Sequence, residues 1–194
     1  MAMASGPVLV FAGNRTDKAT SSENLVRFPD AAVEDVARRI DLLLQALRPS
    51  LMVGAAAAGG DLVVLAAARR LEIPARVVLC LPRETYRQVS VSDRGQEWAA
   101  KFDEVVNWLG DRVKYGMDRP VSKQLFNDAN DEIMRVAEQC ADSVGSQCMA
   151  LAVRHVIPGL SSGTDDFVER AHQRRWSVVE LDPLVLVNWR AHRA

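Results

Sequence analysis

Short apolar runs with little polar alternation punctuate this chain: Val8-Leu9-Val10-Phe11-Ala12, Leu51-Met52-Val53, Arg76 to Leu81, Cys148 to Val153 and Ser177 to Leu181. A strand with one wet face alternates apolar and polar residues, so an unbroken run marks a strand covered on both sides. Between the runs the period changes to that of a helix. Val33, Val36, Ala37, Ile40, Leu43, Leu44 and Leu47 share one face of a helix that Asp30 can cap, Glu34 and Asp35 acidify and Pro49 stops. A second helix, from about Asp61 to Leu71, is apolar almost all round. A third carries Trp98, Phe102, Val105, Val106 and Leu109, a fourth Leu125, Ala129, Ile133, Val136, Ala137 and Cys140, and a fifth spans Thr164 to Arg174. Buried strands alternating with amphipathic helices predict an α/β protein, a Rossmann-like three-layer α/β/α domain with a mainly parallel five-stranded sheet. Asp111 to Ser122 and the tail after Pro183 take neither pattern. No repeat or linker divides the chain, so residues 1–194 read as a single domain.

The charge balance narrows the partners. Lys plus Arg number 24 and Asp plus Glu 25, for a formal net charge of -1. Binding to nucleic acid is dominated by phosphate neutralisation, so this balance argues against it as the main partner. Met1 to Pro7 lacks a basic residue, and no apolar run approaches the ~20 residues of a membrane span. Cys80, Cys140 and Cys148 are odd in number and lack Cys-x-x-Cys spacing, which suits buried thiols in a reducing compartment. The expectation is a cytoplasmic protein with no membrane association. His155, His172 and His192 form no metal-ligand pattern, and neither a metal nor a resident cofactor is expected.

In an open α/β sheet, ligands bind outside the carboxyl ends of the strands, so the chemistry belongs in the loops that follow them. The first strand leads into Gly13-Asn14-Arg15-Thr16-Asp17. The second leads into Gly54-Ala55-Ala56-Ala57-Ala58-Gly59-Gly60-Asp61. Tiny side chains before a helix let backbone amides approach an anion; the same run also suits close packing of an Ala-rich helix on the sheet. The third strand is followed by Pro82-Arg83-Glu84, with Tyr86, Arg87 and Ser90 close behind. The fourth ends at Arg154-His155 and passes through Pro158 to Thr164, where Ser161, Ser162, Gly163 and Thr164 serve either as helix caps or as an anion cradle. Arg15, Arg83 and Arg154, at three strand ends, are candidates for bidentate pairing with phosphate or carboxylate. Asp17 and Asp61 are candidates for a base or for ribose hydroxyls, or for turn and cap roles.

Read together, these loops resemble the SLOG superfamily of Rossmannoid proteins, which includes the LOG phosphoribohydrolases, DprA/Smf proteins and nucleotide-ligand sensor domains attached to bacterial nucleotidyl cyclases and TPR proteins. Gly13, Arg15 and Asp17 match a Gly-His-Arg-x-Asp-type segment, with Asn14 in the His position. Arg27-Phe28-Pro29 matches an Arg-Phe-Pro before the first helix. Gly54 to Asp61 with Leu62-Val63-Val64-Leu65, Pro82-Arg83-Glu84 with Ser90-Val91, Ala129-Asn130 and Gly163-Thr164 match further segments in order. The resemblance implies that Gly13, Asn14, Arg15, Asp17, Gly54, Ala55, Gly59, Gly60, Asp61, Pro82, Arg83, Ser90, Asn130, Gly163 and Thr164 surround a nucleotide or nucleotide-derived small molecule. It also implies a homodimer, for which Leu184 to Val187 offers an apolar contact surface.

One position departs from the pattern. LOG enzymes carry P-G-G-x-G-T-x-x-E, whose Glu serves hydrolysis of the N-glycosidic bond. Here Pro158-Gly159 and Gly163-Thr164 keep the outline, but Phe167 occupies the Glu position, with Asp165, Asp166 and Glu169 displaced. Phe neither takes nor gives a proton. The resemblance therefore implies ligand sensing or carrying first, and N-glycosidic hydrolysis of nucleoside monophosphates as the alternative.

Overall fold

A computed structural model describes residues 6–18 and 25–185. Its organising element is β1, Val8–Gly13, whose first four residues are all fully buried. Successive side chains point to opposite faces of a strand. Leu9 and Phe11 accordingly enter one apolar cluster, and Val8 and Val10 another. The other strands divide in the same way: Met52 of β2 (Leu51–Gly54), Val77 and Leu79 of β3 (Ala75–Leu79), and Leu151 and Val153 of β5 (Cys148–Val153) join the first cluster. Val53, Val78, Ala150 and Ala152 join the second. That two-sided burial is why the runs do not alternate.

The first cluster lies under α1 (Val33–Leu47), α2 (Gly60–Arg70), α3 (Arg83–Ser90) and α4 (Gln96–Leu109). The second lies under α5 (Lys123–Val144) and α6 (Gly163–Gln173), where Ile133, Met134, Ala137, Phe167 and Ala171 meet the strands. The sheet is parallel throughout, in the order β4-β3-β2-β1-β5-β6, with β4 at Val113–Tyr115 and β6 at Ser177–Leu181. The chain steps outward from β1 to β4. It then returns through α5, which packs across β1, β2 and β3, to begin β5 on the far side of β1. The strand order thus reverses at β1 and β5, and a crevice opens there at the carboxyl edge.

The sheet has six strands, not the five expected. The additional one, β4, falls in the unassigned stretch after Asp111. It is three residues long at the sheet edge, with only Val113 buried and Lys114 and Tyr115 exposed, so it carries no apolar run to read. A second difference is α3, a helix where a loop was read after Pro82; only Tyr86 and Ser90 of its residues are buried, too few to show a period. Asp30 does not cap α1 but opens a 3-10 turn, Asp30–Ala32, ahead of it. No helix among the described residues is long and apolar enough to cross a membrane. Of the Leu184 to Val187 stretch, Leu184 is half-buried and Val185 exposed, while Leu186 and Val187 lie outside the described residues.

Candidate functional site

Asn14, immediately after β1, joins the two sides of the crevice. Its backbone N–H donates to the Val153 carbonyl at 2.7 Å, and its side-chain oxygen accepts from the His155 N–H at 2.9 Å. Its Nδ2 donates to Ser162 Oγ at 3.4 Å and Thr164 Oγ1 at 3.3 Å. An amide suits this place because one end must accept and the other donate. The contact ties β1 to the loop after β5 and to the start of α6.

At that start, Ser162 is the cap. Its Oγ accepts from the Asp165 N–H while Asp165 reaches back to the Ser162 N–H, a closed capping box. Thr164 is buried, and Asn130 of α5 donates to the Gly163 carbonyl and to Asp166, both at 2.9 Å. Lys123, at the first position of α5, donates to Ser161 Oγ at 2.7 Å. The first turn of α6 therefore faces the crevice with its positive dipole end, held in place by Asn14 and Asn130.

The Gly54–Asp61 loop serves packing. A Cβ on Gly60 would lie 2.6 Å from Gly13 Cα, and one on Gly13 would lie 2.5 Å from Gly60 Cα, so the two backbones touch where β1 meets α2. Gly59 has φ 112°, which glycine adopts without strain. Three of the loop's amides are already in use: Ala57 N–H donates to Asp61, Ala58 N–H to the Ser90 carbonyl and Gly60 N–H to the Asn14 carbonyl. Gly54 lies against the Phe11 ring.

Asp61 is fully buried at the crevice floor. Its two oxygens accept from Gly13 N–H at 2.8 Å and Ala57 N–H at 3.1 Å. Burial pushes its carboxyl from 3.8 up to about 7, against the opposing pull of those two amides. Tyr86 of α3 is buried beside it, its hydroxyl pushed well up by burial and by the Asp61 charge. The other acid, Asp17, accepts from the Arg27 N–H through both oxygens and from the Phe28 N–H at 2.8 Å. It anchors the Arg27-Phe28-Pro29 segment.

These elements enclose a cleft of about 840 Å³. Phe11, Val78 and Ile133 supply an apolar floor, and Arg15, Lys18, Arg27, Arg94 and Lys123 supply cations. Of the residues singled out in the sequence, Gly13, Asn14, Arg15, Asp17, Ala55, Asp61, Ser90, Asn130, Gly163 and Thr164 line it. Gly54, Gly59, Gly60, Pro82 and Arg83 do not. Arg83 turns to α4, where it pairs with Asp103 and donates to Asn107, and Arg154 is held between Asp165 and Glu180. His155 pairs with Asp182 at 3.0 Å. Arg94 and Lys123 were not among the sequence candidates, and Tyr86 was named only as a neighbour of the segment after the third strand. Arg94 follows α3 in a 3-10 turn, Ser92–Arg94, whose path no local pattern betrays. No family model matches this chain, and no curated protein matches it.

Proposed function

We propose that this chain binds a nucleotide or nucleotide-derived small molecule in the cleft beside β1 and β5, as a sensor or carrier domain. The observation that carries the reading is the charge of the lining. Five cations and two carboxylates line a cleft in a protein of net charge -1, and both carboxylates are committed to backbone amides. The volume falls within the range of ~300–1,000 Å³ common for small-molecule sites, and the apolar floor accepts a flat base. The α6 N-terminus, with Lys123 near it, suits a phosphate. The resemblance of the strand-end loops to SLOG proteins points the same way.

Adenine or guanine nucleotides at millimolar concentration are expected to raise the melting temperature, since a ligand selective for the native state stabilises it by mass action. Arg15→Ala is expected to weaken binding by about 1–3 kcal/mol, the range for a lost charge-assisted bond. Arg83→Ala, whose side chain faces α4, is expected to leave the ligand-induced shift intact. A wild-type melt indifferent to every nucleotide removes the reading.

Hydrolysis of the N-glycosidic bond is the alternative, and it needs a carboxylate free to act at the anomeric carbon. Phe167 is fully buried in the core, and both acids lining the cleft are occupied. Chromatography after overnight incubation with AMP, GMP, CMP or UMP is therefore expected to show no free base. Release abolished by Asp17→Asn or Asp61→Asn promotes the enzyme instead. A homodimer, using the surface around Val185, is also part of the proposal; light scattering is expected to give twice the chain mass, and a monomer at high micromolar concentration counts against it.

A further inference from the structure

Three cations converge on one carboxylate where the loop after β1 meets the 3-10 turn after α3. Arg15, Lys18 and Arg94 each pair with Asp93, so the Arg15 and Arg94 guanidiniums share one carboxylate. The Arg15 guanidinium is held below its ordinary value by burial and then by the neighbouring Arg94 charge, while Asp93 and Tyr86 pull the other way. Burying like charges side by side costs free energy unless an anion joins them. A second observation is independent of charge. Thr16 is 1% exposed and lines the cleft, yet among the described residues its Oγ1 has no partner, and neither has Arg15 Nε beside it. A buried hydroxyl and guanidinium N–H left unmatched are costly, and both suit an acceptor arriving from the cleft. Arg94 is positioned for the same role, because its Nε donates to the Thr16 carbonyl and fixes the guanidinium over the loop.

We infer that Arg15, Thr16 and Arg94 form a second anion subsite, and that the ligand carries two separated phosphate-type groups, one for this subsite and one for the first turn of α6. This rests on the nucleotide reading above and narrows it. Arg15 and Thr16 follow β1 and Arg94 comes after α3, while the other end is the first turn of α6, after β5. Both ends line one cleft with Phe11 and Val78, so a ligand with an anionic group at each end and an apolar middle can reach both. A nucleoside bisphosphate with its phosphates on opposite sides of the ribose has that layout; a monophosphate fills one end only.

Titration calorimetry on the full chain with AMP, with such an adenosine bisphosphate and with inorganic pyrophosphate tests the assignment. The bisphosphate is expected to bind at least tenfold more tightly than AMP, and Arg94→Gln is expected to collapse that ratio to near one. Thr16→Val is the more diagnostic variant. It removes the unmatched hydroxyl, so the melting temperature is expected to hold or rise while pyrophosphate binding weakens about tenfold; a purely structural threonine loses stability instead. Equal affinity for AMP and the bisphosphate, or a ratio that survives Arg94→Gln, overturns the inference. If neither nucleotide binds, the nucleotide reading fails, and the pyrophosphate arm decides the subsite alone. Binding lost in Thr16→Val and Arg94→Gln upholds the subsite, and absent or unaffected binding overturns it.

Discussion

Gly60→Ala is expected to destabilise the fold by about 3 kcal/mol, at the upper end of ordinary overpacking, and to lower the melting temperature by roughly 10 °C for a domain of this size. At most first-turn helix positions the exchange stabilises, because alanine loses less backbone entropy than glycine, by about 0.5–1 kcal/mol. Here the added Cβ would sit 2.6 Å from Gly13 Cα and 3.1 Å from Val153 Cβ. Neither neighbour can retreat. Gly13 ends the central strand and its N–H is bonded to Asp61, and Val153 is paired with Gly13 across β5. The separation of β1 from α2 would have to widen, loosening the Asp61 and Asn14 contacts that shape the cleft. Gly163→Ala serves as the opposite case: its Cβ would meet nothing within 4 Å, so the ordinary gain is expected. Calorimetric melts of both variants check the pair, and a Gly60→Ala protein melting within a degree or two of wild type refutes the close-approach account.

Gly60 and its neighbour Gly59 also show how far the sequence could be read. Gly59-Gly60 before a helix fits an amide cradle or a packed turn equally well, and only the position of Gly13, 47 residues earlier, decides for packing. The layer architecture was legible because strand burial leaves a mark at every residue of a run. β4 escaped because an edge strand of three residues with one buried side chain leaves none. Within the site, the loops following β1, β2 and β5 were located correctly as loops, since the carboxyl-edge rule needs only strand ends. Which of their side chains enter the cleft depends on rotations that spacing does not determine. On α3, Arg83 and Arg87 lie one turn apart and share a flank that meets Asp103. Tyr86 and Ser90 share the neighbouring flank, which faces the cleft. Asn14 was placed at a strand end, but its partners Ser162 and Thr164 are 148 and 150 residues away, and only the return of the chain to β5 brings them near.

Asp61 gives the largest expected pH effect. Its carboxyl titrates near 3.8 when exposed and at about 7 in the fold, chiefly because burial disfavours the charged form. Below about pH 4 both folded and unfolded chains hold the proton, and the group contributes nothing. Between about pH 4 and 7 the unfolded chain has released it and the folded chain has not, so stability falls as pH rises. Above about pH 7 both are ionised and the penalty is complete, on the order of 4 kcal/mol from three pKa units of ~1.4 kcal/mol each. Other carboxylates impose their own slopes, Asp103 and Glu132 in the opposite sense because arginine partners hold them low, so the comparison must be with Asp61→Asn. That variant does not titrate here. It offers one acceptor to the Gly13 and Ala57 N–H groups instead of two, and is expected to be the less stable protein at pH 5 by about 1–3 kcal/mol. As pH rises to 8 the wild type loses its advantage, and the gap is expected to close or reverse. Urea unfolding of both proteins across this range reads the difference directly. A gap that stays constant from pH 5 to 8 would mean that Asp61 ionises in the fold as easily as in the unfolded chain. The Gly13 and Ala57 amides, rather than burial, would then govern the floor of the cleft.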